Sequence, residues 1–526
     1  MAEAARPDSI DGLFARYGPA YRYWVTLTAM MGTISTVLTA TIINVALPDI
    51  MGAFGMGQDT AQLLSTGFLA AMTGTMLLNA WLVDAVGQRA TYLIAMGVFS
   101  AASILGGLAT GETLLITARL LQGAAAGILQ PLAMQVIFQV FPPERRGSAM
   151  GVYGIGVVLA PALGPTLGGL LVDSFSWRYV FFIALPFSLL GPFLALLFMP
   201  GRTHDGPIRR FDWLGFALLT VFLVTLLDGL SSGQREGWRS DAILVEFSVA
   251  IVSVVAFVVW EFRTATPLLN LGLFSRRVFS SAAVVAFIFG AGIYGSTYLI
   301  PLFVQTIQGY TPTRSGLLLM PAGFVLALVF PLAGRATDRT PPPLTMSLGL
   351  ALFALSCFLM TAADTDTPFW TFAGWIVVGR IGLGLVLPSL NAGALAALPQ
   401  TLLGQGSGAI NFVRQLGGAF GVNGLSLLLS DSTQRYAQAF TAAQDGSHTG
   451  TTAFLQASTS LLAQSGLAAP ERQAVAGRYL DQVIAVQSQM MGFRESFLSV
   501  ALLFLAALLP TLLMAGAARR RVGAAR

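Results

Sequence analysis

The sequence predicts an all-α integral membrane protein with two pseudo-symmetric helical halves. Three observations predict it: an apolar composition, fourteen apolar runs of bilayer-spanning length, and punctuation that recurs in both halves. Hydrophobic residues make up 55% of the 526 positions and charged residues 10%, with a mean hydropathy of +0.73. So few polar side chains cannot coat a water-facing surface, and lipid is the expected main solvent.

The charge pattern excludes several function classes. All 29 basic residues are arginine, and the net charge of +5 is spread over many short loops. That argues against nucleic-acid binding and for topogenic signals. Cys357 is the single cysteine, so there is no disulfide framework or thiolate site. His204 and His448 stand far apart in polar segments, which leaves no metal centre, no cofactor site and no histidine beside a nucleophile. An enzyme is therefore not expected. A chain without lysine also has no G-x-x-x-x-G-K-[ST] loop, which disfavours an ATP-driven pump.

A hydrocarbon core of roughly 30 Å needs about 20 apolar residues in helical form. Runs of this kind lie at 22–47, 61–83, 90–109, 112–138, 147–173, 177–199, 212–230, 242–262, 278–307, 312–333, 342–362, 369–396, 404–430 and 493–516. The first is too long for a cleaved signal peptide and has no A-x-A-like end, so it reads as a helix that stays. An even count puts both termini on one side. If that side is cytoplasmic, the inner segments hold eighteen arginines and the outer ones eight. The positive-inside rule then places both ends in the cytoplasm. The one long hydrophilic stretch, 431–492, is an outer excursion with a helix-compatible pattern. It is either a linker without a task or a docking surface for an envelope partner.

The two halves share landmarks. Pro131 and Pro388, and Pro142 and Pro399, are each 257 residues apart; Gly147-Ser148 and Gly406-Ser407 are 259 apart, and Asp84 and Asp338 are 254 apart. A common offset implies a duplicated six-helix unit. The expected organisation is a cytoplasmic segment 1–21, a bundle 22–199, two inserted helices within 200–277, a second bundle 278–516 and a cytoplasmic tail 517–526.

Five segments carry further pattern. Thr41-Ile42-Ile43-Asn44-Val45-Ala46-Leu47-Pro48 closes the first span, and the loop after the second reads Ala80-Trp81-Leu82-Val83-Asp84-Ala85-Val86-Gly87-Gln88-Arg89. The fourth span contains Arg119-Leu120-Leu121-Gln122-Gly123, and the fifth contains Gly151 and then Gly164-Pro165-Thr166-Leu167-Gly168-Gly169. The thirteenth contains Asn411-Phe412-Val413-Arg414-Gln415-Leu416-Gly417-Gly418. From Trp24 to Gly516 the chain thereby resembles the major facilitator superfamily, and within it the fourteen-helix drug:proton antiporters of the EmrB/QacA type.

The resemblance implies a major facilitator fold in a 6+2+6 arrangement. It also implies export of hydrophobic or amphiphilic small molecules in exchange for protons, with a periplasmic adaptor protein and an outer-membrane channel as partners in two-membrane bacteria. The same fold is compatible with export or flipping of a lipid, fatty acid or metabolite, and a membrane sensor or scaffold without turnover is the alternative from another class. Relatives carry an aspartate two residues before Thr41, where this chain has Thr39. The carboxylate most often placed in coupling is thus missing. Asp228 is the preferred replacement among the acids near spans, which also include Asp173, Glu246, Glu261 and Glu495.

Roles follow residue by residue. A carboxylate at the inner end of a helix can bond the N-terminus of a neighbouring helix and latch one state. Asp84, with Arg89, and the second copy Asp338 are either such locks or solvated turn residues. Arg119 sits two turns inside its span, where a guanidinium costs roughly 2.5–3.5 kcal/mol to insert. It either joins a proton-coupling network or snorkels to the interface. Arg414 and Arg380 are further intramembrane cations, and with few acids at mid-depth their expected partners are carbonyls and amides. Thr39, Thr41, Asn44, Gln122, Gln130 and Asn411 are expected to line a cavity, although Asn44 serves equally as an interhelical hydrogen bond. Gly151, Gly164, Pro165, Gly168 and Gly169 form the exporter-type motif or a plain packing seam.

Overall fold

Backbone polar groups in hydrocarbon must be satisfied within their own segment, and the chain meets that requirement by being helical almost throughout. The computed structural model describes residues 7–202, 210–444, 449–463 and 468–514, apart from the side chains of residues 44, 58, 59, 62, 158–163, 165, 166, 173, 234, 235, 312 and 449. His204, Arg209, His448, the 517–526 tail and the side chains of Asn44, Pro165 and Asp173 therefore lie outside the described residues.

Among the described residues the helices are α1 (Ile10–Tyr17), α2 (Tyr21–Phe54), α3 (Gln58–Thr75), α4 (Leu78–Val86), α5 (Gln88–Gly107), α6 (Glu112–Val140), α7 (Arg146–Ser174), α8 (Tyr179–Phe182) and α9 (Leu185–Phe198). They continue with α10 (Trp213–Glu236), α11 (Asp241–Arg263), α12 (Arg277–Thr306), α13 (Pro312–Arg339), α14 (Pro342–Met360), α15 (Phe369–Ala396), α16 (Leu403–Ala442), α17 (Thr449–Leu462) and α18 (Ala469–Ala506). No strand occurs among these residues. Among the described residues each of the fourteen apolar runs lies mainly on a helix or a helix pair. Eleven helices are long and apolar enough to cross a bilayer, or twelve when α3 and α4, bent by 56° at their junction, count as one span. The two runs outside that count lie on the glycine-rich α7 and α16.

Helices α2, α3, α5, α6, α7 and α9 pack on one another, and α12 to α16 with α18 form a second set. The hairpin α10–α11 leans on α3 and reaches α16 through α10. The shared punctuation does the same work in both sets. Pro131 lies inside α6 and Pro388 inside α15, while Pro142 and Pro399 each cap a short 3-10 turn that leads into α7 and α16. Gly87 separates α4 from α5 at φ 86°, and a Cβ there would stand 2.8 Å from the Arg202 backbone. Only glycine suits that turn.

Polarity is inverted relative to a water-soluble protein. Phe193, Val252, Phe324 and Leu509 are 61–67% exposed, whereas Thr33, Thr36, Ser103, Arg119 and Gln122 are fully buried. An outer belt of large apolar side chains around a polar interior is what lipid solvent demands. The described residues of 431–492 are largely helical: α16 and α18 continue into the stretch, and α17 packs against α18. At 1.5 Å per residue the 40 residues of α16 span about 60 Å, twice a hydrocarbon core.

Candidate functional site

The two helical sets meet where α7 crosses α13. Helix α7 begins without a side-chain cap of its own. Its free N–H groups are met from the other set by Asp338, in the last turn of α13: one carboxylate oxygen accepts from the Gly147 N–H at 2.6 Å and the other from the Ser148 N–H at 2.9 Å. The Ser148 hydroxyl donates to the second oxygen as well. An anion on a helix N-terminus is favoured by the exposed donors and by the macrodipole together. The approach requires bare backbone on both sides. A Cβ on Gly147 would meet the Gly334 carbonyl at 2.6 Å, and one on Gly334 would meet Gly147 at 2.5 Å.

The glycines of α7 divide between two partners. Gly151 lies on the Phe330 carbonyl and the Gly334 Cα of α13, and Gly154 on the Phe330 ring. Gly164 instead faces the Thr41 hydroxyl, Gly168 faces Ile42, and Gly169 has only Val45 near it, all on α2. The first half of the motif helix thus belongs to the junction between the sets and the second half to the interior of the first set. The other crossing uses the start of α16: Gly404 lies by Gln135, Gly408 by the Met76 carbonyl, and the Asn411 amide by the Met134 sulfur at 3.4 Å. All these cross-set contacts lie at the end of the molecule that carries Asp84 and Asp338, so the structure is closed there.

Arg119 is completely buried. Its Nε donates to the Leu64 carbonyl at 2.8 Å, and one terminal nitrogen donates to the Thr39 carbonyl at 3.3 Å and to Gln122 Oε1 at 3.1 Å. The guanidinium lies 4.2 Å from the Phe68 ring centroid. Gln122 in turn donates to Ser103 at 2.9 Å. One cation on α6 therefore gathers α2 and α3 directly and α5 through Gln122, using carbonyls and an amide in place of an acid. Thr39 contributes its main chain, and its hydroxyl is buried without a partner. Close passage of α6 over α3 depends on Gly123, on the Phe68 carbonyl, and Gly127, on the Met72 carbonyl.

A second polar cluster spans both sets. Arg414 donates to Asn411 Oδ1 at 2.6 Å, and the Asn411 amide donates to the Ser407 carbonyl at 2.8 Å. The Tyr153 hydroxyl of α7 donates to the Gln130 carbonyl at 3.4 Å, and Tyr153 interacts electrostatically with Arg414 of α16. The Gln130 amide contacts the Met72 sulfur at 3.9 Å. Tyr153 is the member that sequence reasoning missed. Its signal was its place two residues after Gly151, in a helix otherwise nearly free of large polar side chains.

Other expected residues stand apart from these clusters. Asp84 is exposed at the end of α4, where it lines a pocket with Gln405 of α16. Arg89 does not join it: its side chain donates to the Met199 carbonyl at 2.9 Å and pairs with Asp8 at 3.0 Å, pinning the N-terminal segment. Asp228 is exposed on α10 and interacts with Glu246 of α11, away from Arg119 and Arg414. Thr41 bonds its own helix at Val37 and Leu38. Arg380 lines a small cavity with Ser296, Ser356 and Cys357 inside the second set.

Comparison with known proteins agrees with this architecture. Residues 29–422 match the family model described as Major Facilitator Superfamily. The chain is 28% identical over 484 residues to the MFS-type transporter YhcA of Bacillus subtilis, covering 92% of this chain and 91% of that one. It is 31% identical over 394 residues to the multidrug transporter protein MdtP of the same organism, covering 75% and 72%. Among solved structures it resembles the human organic anion transporter MFSD10 with a TM-score of 0.59 at 15% identity, over 94% of this chain and 99% of that one. The chain belongs to the Major Facilitator Superfamily, as a multi-pass, all-helical membrane transporter.

Proposed function

We propose that the protein is a proton-driven antiporter that exports hydrophobic or amphiphilic drugs by alternating access, as a fourteen-helix member of the EmrB/QacA type. In this reading 22–199 and 278–516 are the two rocking bundles, and 200–277 holds the inserted pair. Both termini lie in the cytoplasm of a bacterial inner membrane, so the closed Asp338 end is the inner gate. The observation that carries the reading is the cap that Asp338 lends to α7 across the bundles. A few charge-assisted bonds over facing glycines make a contact that forms and breaks as a unit. The 31% identity to a multidrug transporter supports the drug cargo.

Energetically the coupling is modest. At roughly 150 mV one proton supplies about 3.5 kcal/mol, enough for roughly a 300-fold gradient. One site that proton and drug cannot occupy together is sufficient. Beyond the bilayer, the paired extensions of α16 and α18 offer the surface on which a periplasmic adaptor would dock. The test is pH-gradient quenching in inverted vesicles challenged with candidate drugs, for wild type and Arg119→Ala. Drug-evoked proton release from wild type, lost in the variant, is expected. Absence of release from wild type removes proton coupling, and an unaffected Arg119→Ala removes that residue from the mechanism.

A further inference from the structure

Two carboxyl groups meet at the base of the inserted hairpin. Asp212 caps α10: its Oδ1 accepts from the Gly215 N–H at 2.9 Å and from Trp260 Nε1 at 2.8 Å. Glu261 lies in the last turn of α11, and its Oε2 accepts from the Leu269 N–H at 3.2 Å. The remaining oxygens, Asp212 Oδ2 and Glu261 Oε1, are buried and have no donor. Asp212 is 7% exposed and Glu261 4%. Both unpartnered oxygens converge on one spot, since a Cβ placed on Gly215 would stand within 3 Å of each.

Two buried acceptors of like charge, each within 3 Å of the same point and without a donor, cannot both be ionised cheaply. A single proton solves both problems, because one O–H···O⁻ bond supplies the missing donor and halves the charge. We propose that Asp212 and Glu261 share one proton and form a proton-binding site where the inserted hairpin meets both bundles. The pair passes from −1 to −2 when it releases that proton.

Its position gives the site a route to water and a link to the gate. Asp212 lies in the wall of a pocket bounded by Ala80, Trp81 and Asp84 of α4, by Arg210, and by Gln405 of α16. Arg210 and Asp84 are the charged side chains that share this pocket with Asp212; α10 contributes no charged side chain to it and α16 only the neutral Gln405. Helix α4 belongs to the first bundle and α16 to the second, so opening that end changes the surroundings of Asp212. The site thus offers a carboxylate proton carrier in a chain that has Thr39 where relatives carry an aspartate. That coupling role rests on the antiport reading, whereas the shared proton rests on geometry alone.

Infrared difference spectroscopy on the full-length protein in nanodiscs separates the two. At neutral pH wild type is expected to show a protonated-carboxyl stretch that shifts in heavy water and is lost in both Asp212→Asn and Glu261→Gln. Gly215→Ala, which pushes a methyl between the oxygens, is expected to shift the band and serves if either isostere fails to fold. No such band in wild type, or a band unchanged in all three variants, overturns the site. Drug-evoked proton release is expected to be lost in Asp212→Asn and Glu261→Gln. Release at the wild-type level from both variants overturns the coupling role while antiport stands. No release from wild type overturns antiport itself, and the infrared band still decides the site.

Discussion

Asp338 caps a helix to which it does not belong, holding the Gly147 N–H of α7 from the end of α13. Because α7 brings no cap of its own, its first-turn donors depend on the opposite bundle. A carboxylate in this position contributes up to about 2 kcal/mol through the helix dipole and about 1.5–3 kcal/mol through each charge-assisted bond, net of hydration. Asp338→Asn keeps the shape but loses the charge and one acceptor. We expect it to shift the closed-to-open ratio at this end by roughly tenfold or more, a change of about 1.4 kcal/mol. Spin labels on cysteines at the exposed positions Arg145 and Arg339, in a Cys357→Ser background, report the separation. An unchanged distance distribution would count against a latch.

Glycines in one motif are predicted to differ sharply in tolerance. A side chain on Gly151 has to displace the Phe330 carbonyl and the Gly334 Cα, neither of which is a flexible tip. Gly169, by contrast, offers a Cβ an ordinary 3.9 Å contact with Val45. Gly151→Leu is therefore expected to prevent closure, lengthening the Arg145–Arg339 label distance and abolishing vesicle transport, while Gly169→Ala behaves as wild type. Equal tolerance at the two positions would reduce the motif to a uniform packing seam.

Much of this architecture was legible in the sequence because lipid imposes simple rules. Helix placement follows from runs of about 20 apolar residues, and Pro131 and Pro142 recur as Pro388 and Pro399 at corresponding places in the two helical sets. Asp338 was legible as a helix-end carboxylate. That its partner is Gly147 was not, because Gly147 appeared only as punctuation and the pairing joins residues 191 apart. Arg89 was attached by proximity in sequence to Asp84, whereas its side chain turns to Met199 and Asp8. Asp212 went unremarked since it precedes α10 as an ordinary capping residue. Its meaning comes from Glu261, which the hairpin brings back beside it.

Arginine at 119 is expected to resist conservative replacement. Its planar fork serves two carbonyls on different helices and Gln122 at once, a geometry that a lysine ammonium on a flexible stem does not reproduce. Arg119→Ala leaves the buried Gln122 Oε1 without its donor, at about 1–3 kcal/mol, and strips the Leu64 and Thr39 carbonyls of the bond they accept in addition to their intrahelical ones. Thermal unfolding in detergent is expected to fall by several degrees, and Arg119→Lys should recover only part of that loss. A lysine variant with wild-type stability would show that charge alone is needed.

The long extensions of α16 and α18 are tied together at the carboxylate of Glu495. Glu495 accepts from Tyr436 at 2.7 Å, from Arg435 at 3.1 Å and from Ser432, so three donors of α16 converge on one acceptor of α18. The Arg435 side chain is 57% exposed and that of Glu495 31%, so solvent screens the ion pair and its net contribution is small. Removing it by Glu495→Ala leaves Ser432, which is fully buried, without its partner across the helix pair. The effect should therefore be local. Hydrogen exchange is expected to quicken over the last turns of α16 and the facing turns of α18, with no change at the α7–α13 crossing. Slower exchange, or acceleration that reaches Gly147 and Ser148, would mean that the extensions are coupled to the latch and do more than hold each other.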